Sequence, residues 1–383
     1  MSARVAIVGI GQTALRASAD DRLYHEHDYE AAKLALADAA LDRGDVDTVI
    51  CSGWDAVDGR TISDMHTVMS AGGYLKDSTH VGEDGIMAIA YAYMRIAAGL
   101  FDVALVTAHG HAESSFETVS NVVFDPLFVR SLGQSHLVSL ALQANAYLQR
   151  HGVSGEQAAK VAVKNRGNGA ANPRAHLQSP VDVDEVLTSA LVCYPLRDLH
   201  CPPQSVGGVS LILASEDVAR RITNRPVWLT GIHWAIDSYE LGSKELSRLD
   251  SLAGAAERAY GMAGISDPLR DLDVAELHDI TPFHELMAYE ALGLAPEGAG
   301  ARLVEEGVTG AGGDLPVNPS GGVLCTNPYG ASGLLRSAEA ALQLRGEAGE
   351  RQVPGAARAL AHGMSAPSGA AARTDCVLIL EGG

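Results

Sequence analysis

Three short stretches of this chain hold the side chains best suited to chemistry. The first is Glu276-Leu277-His278-Asp279-Ile280-Thr281-Pro282. Val274–His278 reads as a strand, Thr281 is a good helix N-cap and Pro282 suits the first helical turn. His278 is therefore expected at the C-terminal edge of a sheet, close to a helix N-terminus. The second stretch runs from Val317 to Gly333 and includes Asn318, Ser320, Gly321, Gly322, Asn327, Tyr329, Gly330 and Ser332. It is Gly-rich and turn-forming, and it leads into an Ala/Leu helix. Asn327 can donate a hydrogen bond but cannot act as an acid or base near neutral pH. Tyr329 lies two residues after Asn327, and Tyr239 stands in Ile236-Asp237-Ser238-Tyr239. The third stretch is Glu83-Asp84, two carboxylates at the start of an apolar helix, where negative charge favours the helix's positive end.

Other constellations carry less. His109 and His111 lie two apart after a strand, His25 and His27 share that spacing, and Cys193, His200 and Cys201 are close in sequence. None matches a Cys-x-x-Cys pair or a His-Glu-x-x-His helix, so no metal site is expected. His109-Gly110-His111 does fall at a strand's C-terminal end, where parallel sheets place their sites. Gly9-Ile10-Gly11 follows a strand but lacks the third glycine of a dinucleotide fingerprint, and a tight turn is the expectation there. The five cysteines (Cys51, Cys193, Cys201, Cys325, Cys376) are scattered and odd in number, which fits a reducing compartment better than a disulfide framework.

These residues must be carried by an α/β scaffold. In 383 residues, 47% are apolar and 5% aromatic, so the core is built from Ala, Val, Leu and Ile, with 41 glycines for tight connections. The spacing predicts strands at Arg4–Ile10, Val46–Cys51, Asp102–Thr107 and Val209–Ala214. It predicts helices at Glu30–Leu41, Asp84–Gly99, His136–Arg150 and Glu156–Asn165. After Asn224-Arg225-Pro226 the pattern restarts, with strands at Val227–Gly231, Val274–His278 and Val377–Leu380. Helices are expected there at Leu252–Met262, His284–Leu292 and Ala331–Leu344. The alternation implies a mostly parallel sheet covered on both faces and two similar halves, 1–225 and 226–383. A formal charge of −19 leaves no basic surplus for nucleic acid. No apolar run is long enough for a membrane span and no signal peptide is evident, so a cytoplasmic protein is expected.

Several separated segments resemble the thiolase superfamily. Val317–Gly333 resembles the C-terminal active-site loop, which in the family reads Asn-Pro-x-Gly-Gly and then Gly-His-Pro-x-Gly-Ala-Ser/Thr-Gly. Ala275–Asp279 with Tyr289–Leu294 resembles the His-Asp-x-Phe and Glu-x-Leu-Gly-Leu run of thiolases of the sterol-carrier-protein-X type. Lys164-Asn165 with Asn172-Pro173, and Pro195–Cys201 with Gly207-Gly208, resemble further segments of that type, the latter with departures. The resemblance spans the whole chain. It implies a thiolase fold of two similar α/β halves in a layered α-β-α-β-α arrangement, a homodimer, and substrates carried on coenzyme A. It makes Gly82, Gly330, Ser332 and His362 the candidates for contacting the coenzyme A thioester.

The departures shape the expected chemistry. Gly82 stands at the position of the family's nucleophilic cysteine, and Asn327 stands at that of its active-site histidine. Ala361-His362-Gly363-Met364-Ser365 resembles the late Gly-rich turn but lacks the second cysteine that some thiolases use as base. Without a thiolate no acyl-cysteine forms. What is left, His278 and Asn327 with Tyr329, Tyr239 and Asp84 as further candidates, suits aldol or retro-aldol chemistry on a 3-hydroxyacyl-CoA, as in the thiolase-like aldolases. An acyltransferase working without cysteine and a degenerate scaffold subunit are the alternatives. The resemblance also implies a small partner protein carrying a zinc ribbon and an OB-fold.

Overall fold

A computed structural model describes residues 4–18, 21–111 and 115–383. Its frame is one sheet of nine strands. In chain order these are β1 (Val5–Gln12), β2 (Thr48–Ser52), β3 (Asp77–Val81), β4 (Val103–Gly110), β5 (Gly207–Ser215), β6 (Val227–Ile236), β7 (Val274–Glu276), β8 (Arg358–Ser365) and β9 (Thr374–Gly382). The spatial order is β3-β2-β4-β5-β1-β6-β9-β8-β7. Outward from the central β1/β6 pair, both sides follow the same plan. β1-β5-β4-β2-β3 on one side is matched by β6-β9-β8-β7 on the other, where Val317 continues the series with a parallel bridge to Ala275.

The expectation of a mostly parallel sheet is corrected. Only β2/β3, β2/β4 and β7/β8 run parallel, and the other pairs are antiparallel. The sequence shows alternation of strand and helix, but in each half the last two strands meet antiparallel: β4 with β5, and β8 with β9. A second correction concerns 361–365, read as a turn. These residues form the end of β8, held by full pairing with β9.

Helices pack around this sheet in layers. In the middle lie α2 (Gly85–Ala97) and α7 (Ser332–Arg345). Ile86 and Ile89 of the first and Leu334, Leu335 and Ala338 of the second share one core with strands of both halves. Outside the first half is α1 (Tyr24–Asp38), which buries Ala32 and Ala35 against Val8, Leu105 and Ile212. Between β4 and β5 in sequence come α3 (His136–His151) and α4 (Gly155–Ala170). Outside the second half are α5 (Asp250–Ala263) and α6 (Pro282–Ala291), packed on Leu360, Val377 and Ile379.

Close approach explains the first glycines. A Cβ on Gly11 would sit 2.0 Å from the Ala31 carbonyl oxygen, and one on Gly9 would sit 2.5 Å from that of Ala35. Both lie inside β1 and let α1 press onto the strand. The expected tight turn is thus a packing contact.

Candidate active site

The site forms where α2 and α7 point their N-termini at the same region. Asp84 is the N-cap of α2, and its Oδ1 accepts from the Ile86 N–H at 3.1 Å. The same carboxylate accepts from the Gly333 N–H, at 2.8 Å to Oδ1 and 3.1 Å to Oδ2, in the first turn of α7. One carboxylate therefore ties both helix starts together. Burial pushes it up to about 7, against the pull of those N–H groups. With both oxygens occupied, Asp84 holds the frame of the site. The Gly85 N–H completes this joint by donating to the Gly330 carbonyl at 2.9 Å.

The 317–333 loop is fixed from below by buried charge. Glu276 accepts from the Ser320 N–H at 3.0 Å, and Arg336 reaches both Glu276 (2.8 Å) and the Ser320 hydroxyl (2.6 Å). Asp279 accepts from the Val323 N–H at 2.5 Å and from the Asn165 amide at 2.6 Å. Asn318 accepts from the Leu277 N–H at 2.7 Å and donates to Glu285 at 2.8 Å, and Lys164 pairs with Glu285 at 2.9 Å. Apart from the half-buried Lys164 these groups are buried, so they satisfy one another. Asn165, Glu276 and Asp279 all fell inside recognisable motifs. Their joint task of clamping the loop was not visible, because the partners lie far apart in sequence.

On this frame Asn327 is fully buried. Its Oδ1 accepts from the Ser332 hydroxyl at 2.5 Å, and its backbone N–H donates to Ser205 at 3.0 Å. The amide is thus oriented by Ser332, with its donor end beside the Tyr329 phenol. His278 is also buried, and its Nδ1 makes no hydrogen bond. Burial, with His362 and Arg336 adding to it, holds this imidazole well below its usual range. It is therefore neutral at physiological pH, a hydrogen-bonding group and not a cation. Unpaired polar atoms at such burial are costly unless something binds them.

His362 does not face an open site. Its Nδ1 receives the His278 backbone N–H at 3.4 Å, and its Nε2 meets Asp375 at 3.0 Å. Burial alone would raise Asp375, but Arg373 and His362 outweigh it and hold the carboxyl low. His362 thus positions His278 from behind. Tyr329 stacks on Phe116 with ring centroids 3.5 Å apart. Burial, with Cys201 and Glu117 adding to it, raises its phenol, while the Asn327 amide beside it pulls the other way. Tyr239 lies elsewhere in its bonding: its hydroxyl accepts from the Asp125 N–H at 2.9 Å and pins the 121–125 loop.

Gly82 opens onto a cleft of 310 Å3 lined by Gly53, Trp54, His80, Phe116, Val123 and Pro367 among others. A Cβ on Gly82 would meet nothing within 4 Å. The thiols are elsewhere. Cys51, Cys325 and Cys376 are buried, and Cys193 and Cys201 are half-buried. Burial pushes Cys201 and Cys325 up to about 12.

One wall of the cleft is latched by a cluster that sequence reading only half saw. His109 sits between Asp28 (2.8 Å) and Asp58 (3.0 Å). Burial would lower this imidazole, but the two carboxylates outweigh it and push it well above its usual range. The resulting ion triad ties the 53–58 loop to α1 and β4. Among the described residues no group of three or more His, Cys, Asp or Glu is placed to hold a metal. Nor is any helix among them long and apolar enough to cross a membrane.

Comparison with known proteins agrees with this architecture. Residues 235–381 match the family described as thiolase C-terminal domain-like. Acetyl-CoA acetyltransferase of Methanothermobacter thermautotrophicus is 33% identical, covering 96% of this chain and 98% of that protein. Human sterol carrier protein 2 is 33% identical over 94% of this chain and 70% of its own length. Among solved structures, the Ltp2-ChsH2(DUF35) aldolase superposes with a TM-score of 0.84 at 24% identity, covering 99% of this chain and 97% of that one. Human mitochondrial 3-ketoacyl-CoA thiolase superposes with a TM-score of 0.73 at 15% identity, covering 100% and 99%. The chain belongs to the thiolase family of enzymes, and it carries the thiolase fold.

Proposed function

We propose that this protein cleaves or forms a C–C bond in a coenzyme A thioester by retro-aldol or aldol chemistry, without an acyl-cysteine. The observation that carries this reading is Gly82, open to the cleft and bare of a side chain, with every cysteine elsewhere. Claisen chemistry through an acyl-enzyme needs a thiolate at the reacting carbonyl. Retro-aldol cleavage needs only a base for the hydroxyl and donors for the enolate.

The donors are the neutral His278 and the Nδ2 of Asn327, aimed by Ser332 and carried on the loop that includes Gly330. In the reading proposed here they receive the thioester oxygen as the C2–C3 bond breaks and charge builds on it. Tyr329, its phenol raised by burial, keeps its proton at neutral pH and serves as a donor and shuttle beside Asn327. Coenzyme A enters as part of the substrate, its thioester end at Gly82. The acyl group leaves as acyl-CoA and the rest as a ketone or aldehyde.

The aldolase that superposes on this chain is named as an assembly of two components. We extend that to a small zinc-ribbon and OB-fold partner here, and to a homodimer of this chain. A chain that sediments alone as a monomer and works without a partner would remove both. A cytoplasmic location and the division at 225/226 are proposed on the same footing.

The test is to incubate the protein, with and without a co-expressed partner, with 3-hydroxyacyl-CoA and separately with 3-ketoacyl-CoA plus coenzyme A. The variants Cys193→Ser and Cys201→Ser, which remove the two half-buried thiols, are run beside it. Cleavage of the first substrate only, unchanged in both variants, supports the lyase. Turnover of the second only returns the reading to acyl transfer.

A further inference from the structure

The retro-aldol reading leaves its base unnamed. Tyr329 keeps its proton, Asp84 has both oxygens occupied by helix N–H groups, and neutral His278 resists protonation. One further acid lies at the same place. Glu83 sits between Gly82, which lines the cleft, and the Asp84 cap. Its backbone carbonyl accepts the Ser52 hydroxyl at 2.7 Å, and Ser52 also reaches the Gly330 carbonyl at 3.5 Å. That fixes Glu83 against the loop that carries Asn327.

The Glu83 side chain is directed at Ser365, the last residue of β8. Ser365 is 2% exposed, and its hydroxyl meets the Glu83 carboxyl. The Nδ1 of His278 is buried without a hydrogen-bond partner. Such an atom points to a polar ligand in contact with it. Segment 361–365 is also where the family resemblance leaves a second cysteine missing. The Glu83 carboxyl lies next to that segment, against Ser365.

We infer that Glu83 is the catalytic base of this site and returns the same proton to the product. The inference rests on the enolate chemistry proposed above. The Glu83 carboxylate takes the proton from the C3 hydroxyl of 3-hydroxyacyl-CoA. The C3–O bond becomes a carbonyl, the C2–C3 bond breaks, and its electron pair passes into the thioester enolate held by Asn327 and His278. After the ketone or aldehyde departs, protonated Glu83 delivers its proton to C2, giving acyl-CoA and restoring the carboxylate. No oxidant, metal or second substrate enters this balance. Burial raises the carboxyl, with the Ser365 contact opposing, which moves it toward the basicity a proton carrier needs near neutral pH.

The test uses two readouts on the full chain, with any partner it requires: cleavage of 3-hydroxyacyl-CoA, and exchange of the C2 protons of acyl-CoA in deuterium oxide. Glu83→Gln is expected to lower kcat by roughly 10²–10⁴-fold with KM unchanged, to abolish exchange, and to keep the thermal midpoint. Glu83→Asp is expected to recover part of both activities, which a purely structural role would not produce. A Glu83→Gln protein that cleaves at the wild-type rate overturns the role of Glu83 and leaves the lyase standing. Wild-type exchange without cleavage, lost in Glu83→Gln, upholds the base and removes the lyase. Exchange that persists in Glu83→Gln, or a wild type that shows neither activity, overturns the inference.

Discussion

In the proposed function, Asn327 and Gly82 act as a pair, standing where the family resemblance expects a histidine and a nucleophilic cysteine. A missing thiol alone would leave a histidine with no nucleophile to activate, and a missing histidine alone would leave an unassisted thiol. With both missing, the proposed chemistry rests on neutral donors. Asn327→Ala is expected to lower kcat for cleavage by about 10²–10³-fold, the usual effect of deleting one oxyanion donor, with KM little changed. Steady-state kinetics on 3-hydroxyacyl-CoA checks this, and an unaltered kcat would remove Asn327 from the site. The residue types of His278, Asn327 and Tyr329 were legible because their motifs are compact. The roles of Asp84, Tyr239 and His362 were not, because their partners are remote. Asp84 meets Gly333, Tyr239 meets Asp125, and His362 meets Asp375 through pairing of β8 with β9. Hydrogen bonds that distant leave no local pattern.

At the scale of the elements, the joint between α2 and α7 makes a pH prediction. The Asp84 carboxyl lies at about 7 in the fold against 3.8 in the unfolded chain. A raised group stabilises most below its unfolded value, and that contribution is lost as pH rises through its folded value. Asp84→Asn keeps an oxygen for the Ile86 and Gly333 N–H groups but cannot ionise. The thermal midpoint of the variant is expected to gain on wild type between about pH 4 and about pH 7. A pH-independent difference would contradict the burial of this carboxylate. The contact of α1 with β1 makes a second prediction. Gly11→Ala forces a methyl into the Ala31 carbonyl and is expected to destabilise by about 1–3 kcal/mol or more, read by denaturant unfolding. Most elements were legible from periodicity, including α2, α7 and β5. β8 was not, since its Ala, His and Gly residues carry weak strand preference and only β9 makes them a strand.

For the whole molecule, the two sides of the sheet share one strand order and meet at the β1/β6 pair. That geometry brings α2 from one side and α7 from the other to a common point at Asp84, two residues from Gly82 in the cleft. The direction of each strand pair was beyond the sequence, because crossovers between halves and within them look alike as alternating runs. The central claim is that this scaffold breaks a C–C bond with no covalent intermediate. It is tested most directly by quantifying the free carbonyl compound and acyl-CoA released from 3-hydroxyacyl-CoA, while following the intact mass of the protein. The account predicts the two products in equal amounts and an unmodified protein mass throughout. A protein mass increased by the acyl group during turnover, or no carbonyl release alongside turnover of 3-ketoacyl-CoA with coenzyme A, would contradict it.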